Sequence, residues 1–229
     1  MARSAPTPKP RPAVGPLFRI LLATQRFVPL FIKVPFVTYV LGPRRTATLA
    51  VHTPGPVMLP VTQRLAPAFN AEVTRYLAPK EIRDLLDHMP NDVWIAIARA
   101  LMDKGEFEIT AGFADLLTEN EIRAFIVTLN DPEGVMHIAP HLENPERVVN
   151  IARRFSNNYL VKLGAAACAG GNHDIAARVC LGLSPDRQRV VLDALSTEDR
   201  NKVLSHYSAR EHAAIDGETA GAKHNHHGA

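Results

Sequence analysis

From about Phe69 onward the chain repeats one phrase: a capping residue, often a proline, then an acid in the first turn, then apolar residues at i, i+3 and i+4. The clearest copies are "APKEIRDLLDHM" (78–89), "MPNDVWIAIARALM" (89–102), "TENEIRAFIVTLN" (118–130), "DPEGVMHIAPHLE" (131–143), "NPERVVNIARRF" (144–155), "SPDRQRVVLDALS" (184–196) and "TEDRNKVLSHYS" (197–208). Each predicts a helix of two to three turns. Ile82, Leu85, Leu86 and Met89 make one apolar face, and Val148, Ile151, Ala152 and Phe155 another.

The starts are marked by specific chemistry. Asp131, Asn144 and Ser184 can accept from the N–H groups that a first turn leaves unpaired, and Pro132, Pro145 and Pro185 follow where no N–H is needed. Glu133, Glu146 and Asp186 then meet the positive helix end, while Thr118 with Glu121 fits a reciprocal capping box. Starts at 118, 131 and 144 are 13 residues apart, as are those at 184 and 197. A ten-residue helix spans about 15 Å and is marginal alone, so neighbours must stack their apolar faces. The expectation is an all-α fold, an α-solenoid of short helices over residues 68–208. Its rhythm breaks twice: Gly105 reads as a helix stop with Gly112 inside the next element, and "AAACAGGNHD" (165–174) reads as a small-residue helix ending on a glycine pair.

The first third follows a different pattern. "LFRILLATQRFVPLFIKVPFVTYVL" (17–41) is oily sequence with a cation at every seventh position, Arg19, Arg26 and Lys33. On a helix that spacing lags only about 20° per step, so Arg19 and Arg26 share a narrow stripe opposite a broad apolar face, and Lys33 continues it if the helix survives Pro29. Past Pro29, "LFIKVPFVTYVL" allows either a second short helix or an extended piece. The first sixteen residues read as a disordered basic proline-rich leader, 42–67 as a proline-rich linker draped along the body, and 209–229 as a flexible tail containing "HNHH".

Charge sharpens this division. Residues 1–75 carry ten Lys/Arg against a single acid, Glu72, whereas the rest carries 16 against 22, so a net charge of +3 conceals a basic head on an acidic body. Twelve of the 18 prolines lie at or before Pro67, on the same side of the divide. A bilayer needs about 20 apolar residues, and Arg26 and Lys33 each cost about 2.5–3.5 kcal/mol near its centre, which disfavours a span. The broken apolar run also argues against a secretory signal and leaves an organellar presequence open. Cys168 and Cys180 read as reduced, buried small hydrophobes of a cytosol-like compartment.

The cadence "L-x-P-x-x-h-x-x-h-L" over 77–208 resembles the superhelical N-terminal domain of MgtE-type magnesium transporters and, more distantly, the helical repeats of the flagellar rotor protein FliG. The resemblance implies a right-handed superhelix and a divalent-cation-responsive regulatory role. No magnesium ligand or rotor contact of those families matches a numbered residue here.

Signatures of catalysis are missing from the sequence: it holds no G-x-S-x-G elbow, phosphate-cradling glycine loop, H-E-x-x-H or cysteine pair at metal spacing. His137 and His141 have i, i+4 spacing, but Pro140 disturbs that turn and no third ligand is signalled. The reading is therefore a non-enzymatic scaffold or adaptor without metal or cofactor, cytoplasmic and peripheral to an anionic membrane or lipid surface, with an unidentified protein partner on the solenoid. Arg19, Arg26, Lys33, Arg44 and Arg45 supply electrostatic contact, and Phe18, Leu21, Leu22, Phe27, Leu30 and Phe31 supply burial. The competing reading of the head is a cap folded onto its own body. Nucleic acid is disfavoured because the cations stand among aliphatic side chains rather than stacking aromatics.

Overall fold

A computed structural model describes residues 28–208 and Glu211, and among these every regular element is helical, with no strand. Two compact units divide between Leu117 and Thr118, not at the 67/68 junction that the proline distribution suggests.

In the first unit, α1 (Leu30–Pro35) runs into a π-helical turn, Phe36–Leu41, and then into α2 (Gly42–His52), α3 (Gly55–Thr62), α4 (Pro67–Thr74), a 3-10 turn at Pro79–Ile82, α5 (Arg83–His88), α6 (Asn91–Met102) and α7 (Phe107–Ala114). Each helix from α1 to α4 packs on the next but one: α1 on α3, α2 on α4, α3 on α5 and α4 on α6.

The stretch 42–67 is thus two packed helices where a linker is expected. Its composition hides this, because α2 buries Thr46, Ala47, Thr48, Leu49 and Ala50 in one run, a pattern with no amphipathic period. The two threonines are tolerated because each hydroxyl donates to the carbonyl four residues back, Thr46 to Gly42 at 2.7 Å and Thr48 to Arg44 at 3.4 Å. Further in, Asn70 Nδ2 donates to the Thr62 carbonyl at 2.9 Å, joining α4 to α3 through a buried polar contact. Gly55 sits so close to α5 that its N–H donates to Asp84 Oδ2 at 2.6 Å, and a Cβ there would collide with the Asp84 backbone oxygen. Trp94 of α6 is a core residue, its ring centroid 5.4 Å from that of Phe113 on α7.

The second unit holds α8 (Glu119–Leu129), α9 (Pro132–Ile138) with a 3-10 turn at Ala139–His141, α10 (Pro145–Ala152), α11 (Asn157–Ala169), α12 (His173–Leu181), α13 (Pro185–Asp193) and α14 (Thr197–Leu204). The next-but-one rule holds throughout: α8 on α10, α9 on α11, α10 on α12, α11 on α13 and α12 on α14.

Here the expected starts appear nearly residue for residue. The Thr118 hydroxyl accepts from the Glu121 N–H at 3.3 Å while Glu121 Oε2 accepts from the Thr118 N–H at 2.7 Å, closing the capping box. Asp131 accepts from Gly134 and Asn144 from Glu146, each at 3.0 Å. Ser184 differs, since its side chain makes no cap bond, but Ser156 and Ser196 cap α11 and α14. Val149, rather than Val148, is the buried valine of the α10 face, alongside Ile151, Ala152 and Phe155.

Candidate functional site

The basic apolar head can be followed from Val28. Arg19, Arg26, Phe18, Leu21, Leu22 and Phe27 lie outside the described residues, whereas Leu30, Phe31, Lys33, Arg44 and Arg45 lie within them. Pro29 is extended, with ψ 149°, and α1 begins after it, so the phase of Lys33 is that of a helix starting at Leu30.

Three local choices shape this region. Pro35 brings no N–H into the helix, and the six residues after it take the wider π-helical turn. Thr38 ties that turn back by donating to the Val34 carbonyl at 2.9 Å. Gly42, at φ 68°, ends it in a conformation that a side chain would strain.

The result is a knob with apolar groups on the outside. Phe31 is 74% and Tyr39 86% exposed, with Ile32 and Val40 exposed as well. Leu30 and Lys33 are half-buried. Behind them lies an apolar cavity of about 230 Å³, walled by Val28, Phe36, Leu41, Leu49 and Val57 and edged by Lys33.

Arg44 and Arg45 are both exposed, in the first turn of α2. That turn contains no acid, although the positive helix end favours acids and disfavours cations by about 0.3–1 kcal/mol each. Two exposed arginines there add their charge to the helix's own, so this end of α2 is positively charged. Among the described residues no helix is long and apolar enough to cross a membrane.

A second grouping lies in the other unit, and the sequence reading missed it. Cys168 in the last turn of α11, His173 at the start of α12 and Asp199 in the first turn of α14 bring a thiol, an imidazole and a carboxylate within 4.8 Å of one another. His173 Nε2 stands 3.1 Å from Asp199 Oδ1, and Asp199 Oδ2 accepts from the Ser196 hydroxyl at 2.7 Å. The glycine pair makes the reversal: Gly171 adopts φ 73°, which lets the chain turn back so that His173 returns to the Cys168 end of its own helix.

Burial, and then the nearby Asp199 carboxylate, push the Cys168 thiol up to about 11. Burial likewise pushes Cys180 up to about 12, partly offset by the nearby Tyr207 hydroxyl. Both cysteines are free and buried, as expected, and as protonated thiols they are poor nucleophiles. The Ser196 hydrogen bond, followed by that of His173, holds the Asp199 carboxyl below its ordinary value. His137 and His141, the pair with helical spacing in sequence, are both exposed, and the chain turns to 3-10 geometry at Ala139–His141. The only advance signal for the real grouping is "CAGGNH", a thiol and an imidazole astride two glycines. Asp199 is added by packing alone.

Compared with known proteins, the chain matches no protein-family model, no curated protein and no solved structure.

Proposed function

We propose that this protein is a non-enzymatic helical scaffold that docks reversibly on an anionic lipid surface through the knob at residues 28–45. The carrying observation is the pairing of Phe31, Ile32, Tyr39 and Val40, exposed to solvent, with Lys33, Arg44 and Arg45 on the same short stretch. Full burial of a Phe, Ile or Val side chain contributes about 1.5–3 kcal/mol, and each cation near an anionic surface about 1 kcal/mol. Such a sum favours reversible attachment, and the ten cations against one acid in residues 1–75 fit anionic headgroups. Lys33, half-buried, is one of the residues lining the apolar cavity, and a lysine in such a place can lay its stem on apolar surface and keep its ammonium in water.

The acidic helical stretch 68–208 is left to a protein partner in this reading. A right-handed superhelix belongs to the same proposal. Next-but-one packing inside each unit supports solenoid-like stacking of short helices; the right hand is what the family resemblance implies.

Vesicle flotation with the full chain tests the reading. Recovery is expected with phosphatidylserine-containing vesicles and not with neutral phosphatidylcholine, and Phe31→Ser with Tyr39→Ser should weaken binding at least about tenfold, the equivalent of 1.4 kcal/mol. These positions are exposed, so the variant leaves the core intact. Equal behaviour of wild type and variant, or of the two vesicle types, refutes the proposal and favours a head folded onto its own body.

A further inference from the structure

We infer that Cys168, His173 and Asp199 form a binding site for a zinc-class divalent ion, with a thiolate sulfur, an imidazole nitrogen and a carboxylate oxygen as ligands and water in the fourth position. This site lies in the second unit and is independent of the lipid-docking reading.

The geometry comes first. Tetrahedral zinc with bonds of about 2.0–2.3 Å places its ligand atoms about 3.3–3.6 Å apart. The nitrogen–oxygen pair is at 3.1 Å, and all three atoms lie within 4.8 Å. The sulfur would close the triangle by moving up to about 1 Å, a χ1 rotation of about 30° that reaches the edge of a rotamer well.

The donor set then selects the ion. Sulfur and imidazole suit zinc, cobalt and related metals, whereas magnesium and calcium take oxygen ligands. The site therefore differs in kind from the magnesium response implied by the sequence resemblance.

The surroundings are also those of a ligand set. Asp199 is oriented by Ser196 on its other oxygen, which leaves Oδ1 turned toward His173. Cys168 stands in the last turn of α11, at the helix end that favours positive charge. The thiol is buried, while the His173 and Asp199 side chains are 16% and 33% exposed, so an ion enters from solvent past the two outer ligands. Lys202 is the neighbouring cation, and its ammonium is engaged by Glu198 at 2.6 Å.

Binding balances without any redox partner. The Cys168 S–H bond breaks, its electron pair goes to the metal and its proton to water. His173 offers the lone pair of one ring nitrogen and keeps its single proton on the other. Asp199 binds as the carboxylate it already is.

Cobalt(II), added to the full-length chain, is the probe. At one equivalent, we expect a near-ultraviolet thiolate-to-cobalt charge-transfer band, strong visible bands of tetrahedral cobalt, and release of one proton. Cys168→Ala should abolish the sulfur band, and His173→Gln and Asp199→Asn should each weaken cobalt binding by at least tenfold. Ser196→Ala should weaken it by about tenfold, as loss of an outer-shell partner does. Cys180→Ser should keep the band, as should simultaneous replacement of His224, His226 and His227 by alanine, because those tail histidines offer no sulfur. A wild-type protein without the sulfur band, or a band that survives Cys168→Ala, overturns the inference. Should Cys168→Ala fail to fold by circular dichroism, the partly exposed Asp199→Asn decides in its place: undiminished affinity there also overturns it.

Discussion

The two units begin their helices by different means. In the second, Thr118, Asp131, Asn144, Ser156 and Ser196 each place a side-chain oxygen on a first-turn N–H. In the first, none of α1–α7 has a side-chain cap of that kind. Its starts rest on prolines and on contacts from afar, most clearly at Gly55, whose N–H is met by Asp84 from α5, 29 residues away. Most helix starts in the second unit are therefore capped by a neighbouring side chain in sequence, whereas in the first prolines and, at Gly55, a contact from another helix stand in for those caps. The unit without local caps is also the one that leaves Phe31 and Tyr39 in solvent.

That contrast can be broken most severely at Gly55. Gly55→Ala sets a Cβ against the Asp84 backbone oxygen, which cannot swing aside as a side chain does, and should destabilise the first unit by about 3 kcal/mol in urea unfolding. Gly182→Ala is the counterpart in the second unit: its Cβ would meet the Val149 side chain. It should cost less, and added Val149→Ala should recover much of the loss; absence of any rescue would show that the backbone, not Val149, sets the limit there.

Cap removal gives the next effect. Thr118→Ala should cost about 1 kcal/mol, and because the cap is local, the loss should persist as reduced helicity in a peptide of residues 118–130. Asp84→Ala should cost a similar amount, about 1 kcal/mol, in the intact chain, while a peptide of residues 54–63, which lacks Asp84, should show little helix. Helicity in that peptide equal to that of residues 118–130 would erase the distinction.

The smallest effect is in acid. Lys104, bonded to Glu72 at 2.6 Å, and then Arg75 hold the Glu72 carboxyl below its ordinary value of 4.5, against a desolvation that raises it. A depressed folded-state value means a stabilising contribution that is present above 4.5 and lost as pH falls through the folded value. Glu72→Gln should thus shift the acid limb of unfolding slightly and leave stability near neutral pH a little lower. An unchanged acid limb would show that this partly exposed network contributes nothing measurable.

Helix identity and helix starts between 79 and 204 were legible because they depend on residues within one turn of each other: a hydroxyl or carboxylate, a proline, an acid, an apolar stripe. Residues 42–62 were not. Five consecutive buried positions, Thr46 to Ala50, carry no period, and prolines that read as linker punctuation instead stand in the first turns of α2 and α3. The candidate sites divide in the same way. The cations and oily residues of the head were plain in sequence, but which of those from Val28 onward face solvent depended on the helix beginning after Pro29 and widening after Pro35.

The sequence by itself determined that this is a helical protein with a basic front and an acidic remainder, because capping, propensity and charge act over a few residues and need no partner. Tertiary structure alone decided that α2 and α3 are packed rather than draped, and that Cys168, His173 and Asp199 meet. Asp199 is 26 residues beyond His173 in the chain, and nothing within one helical turn of either residue encodes their approach. It follows from α12 packing on α14, in which each short helix gains its stability from a neighbour's apolar face.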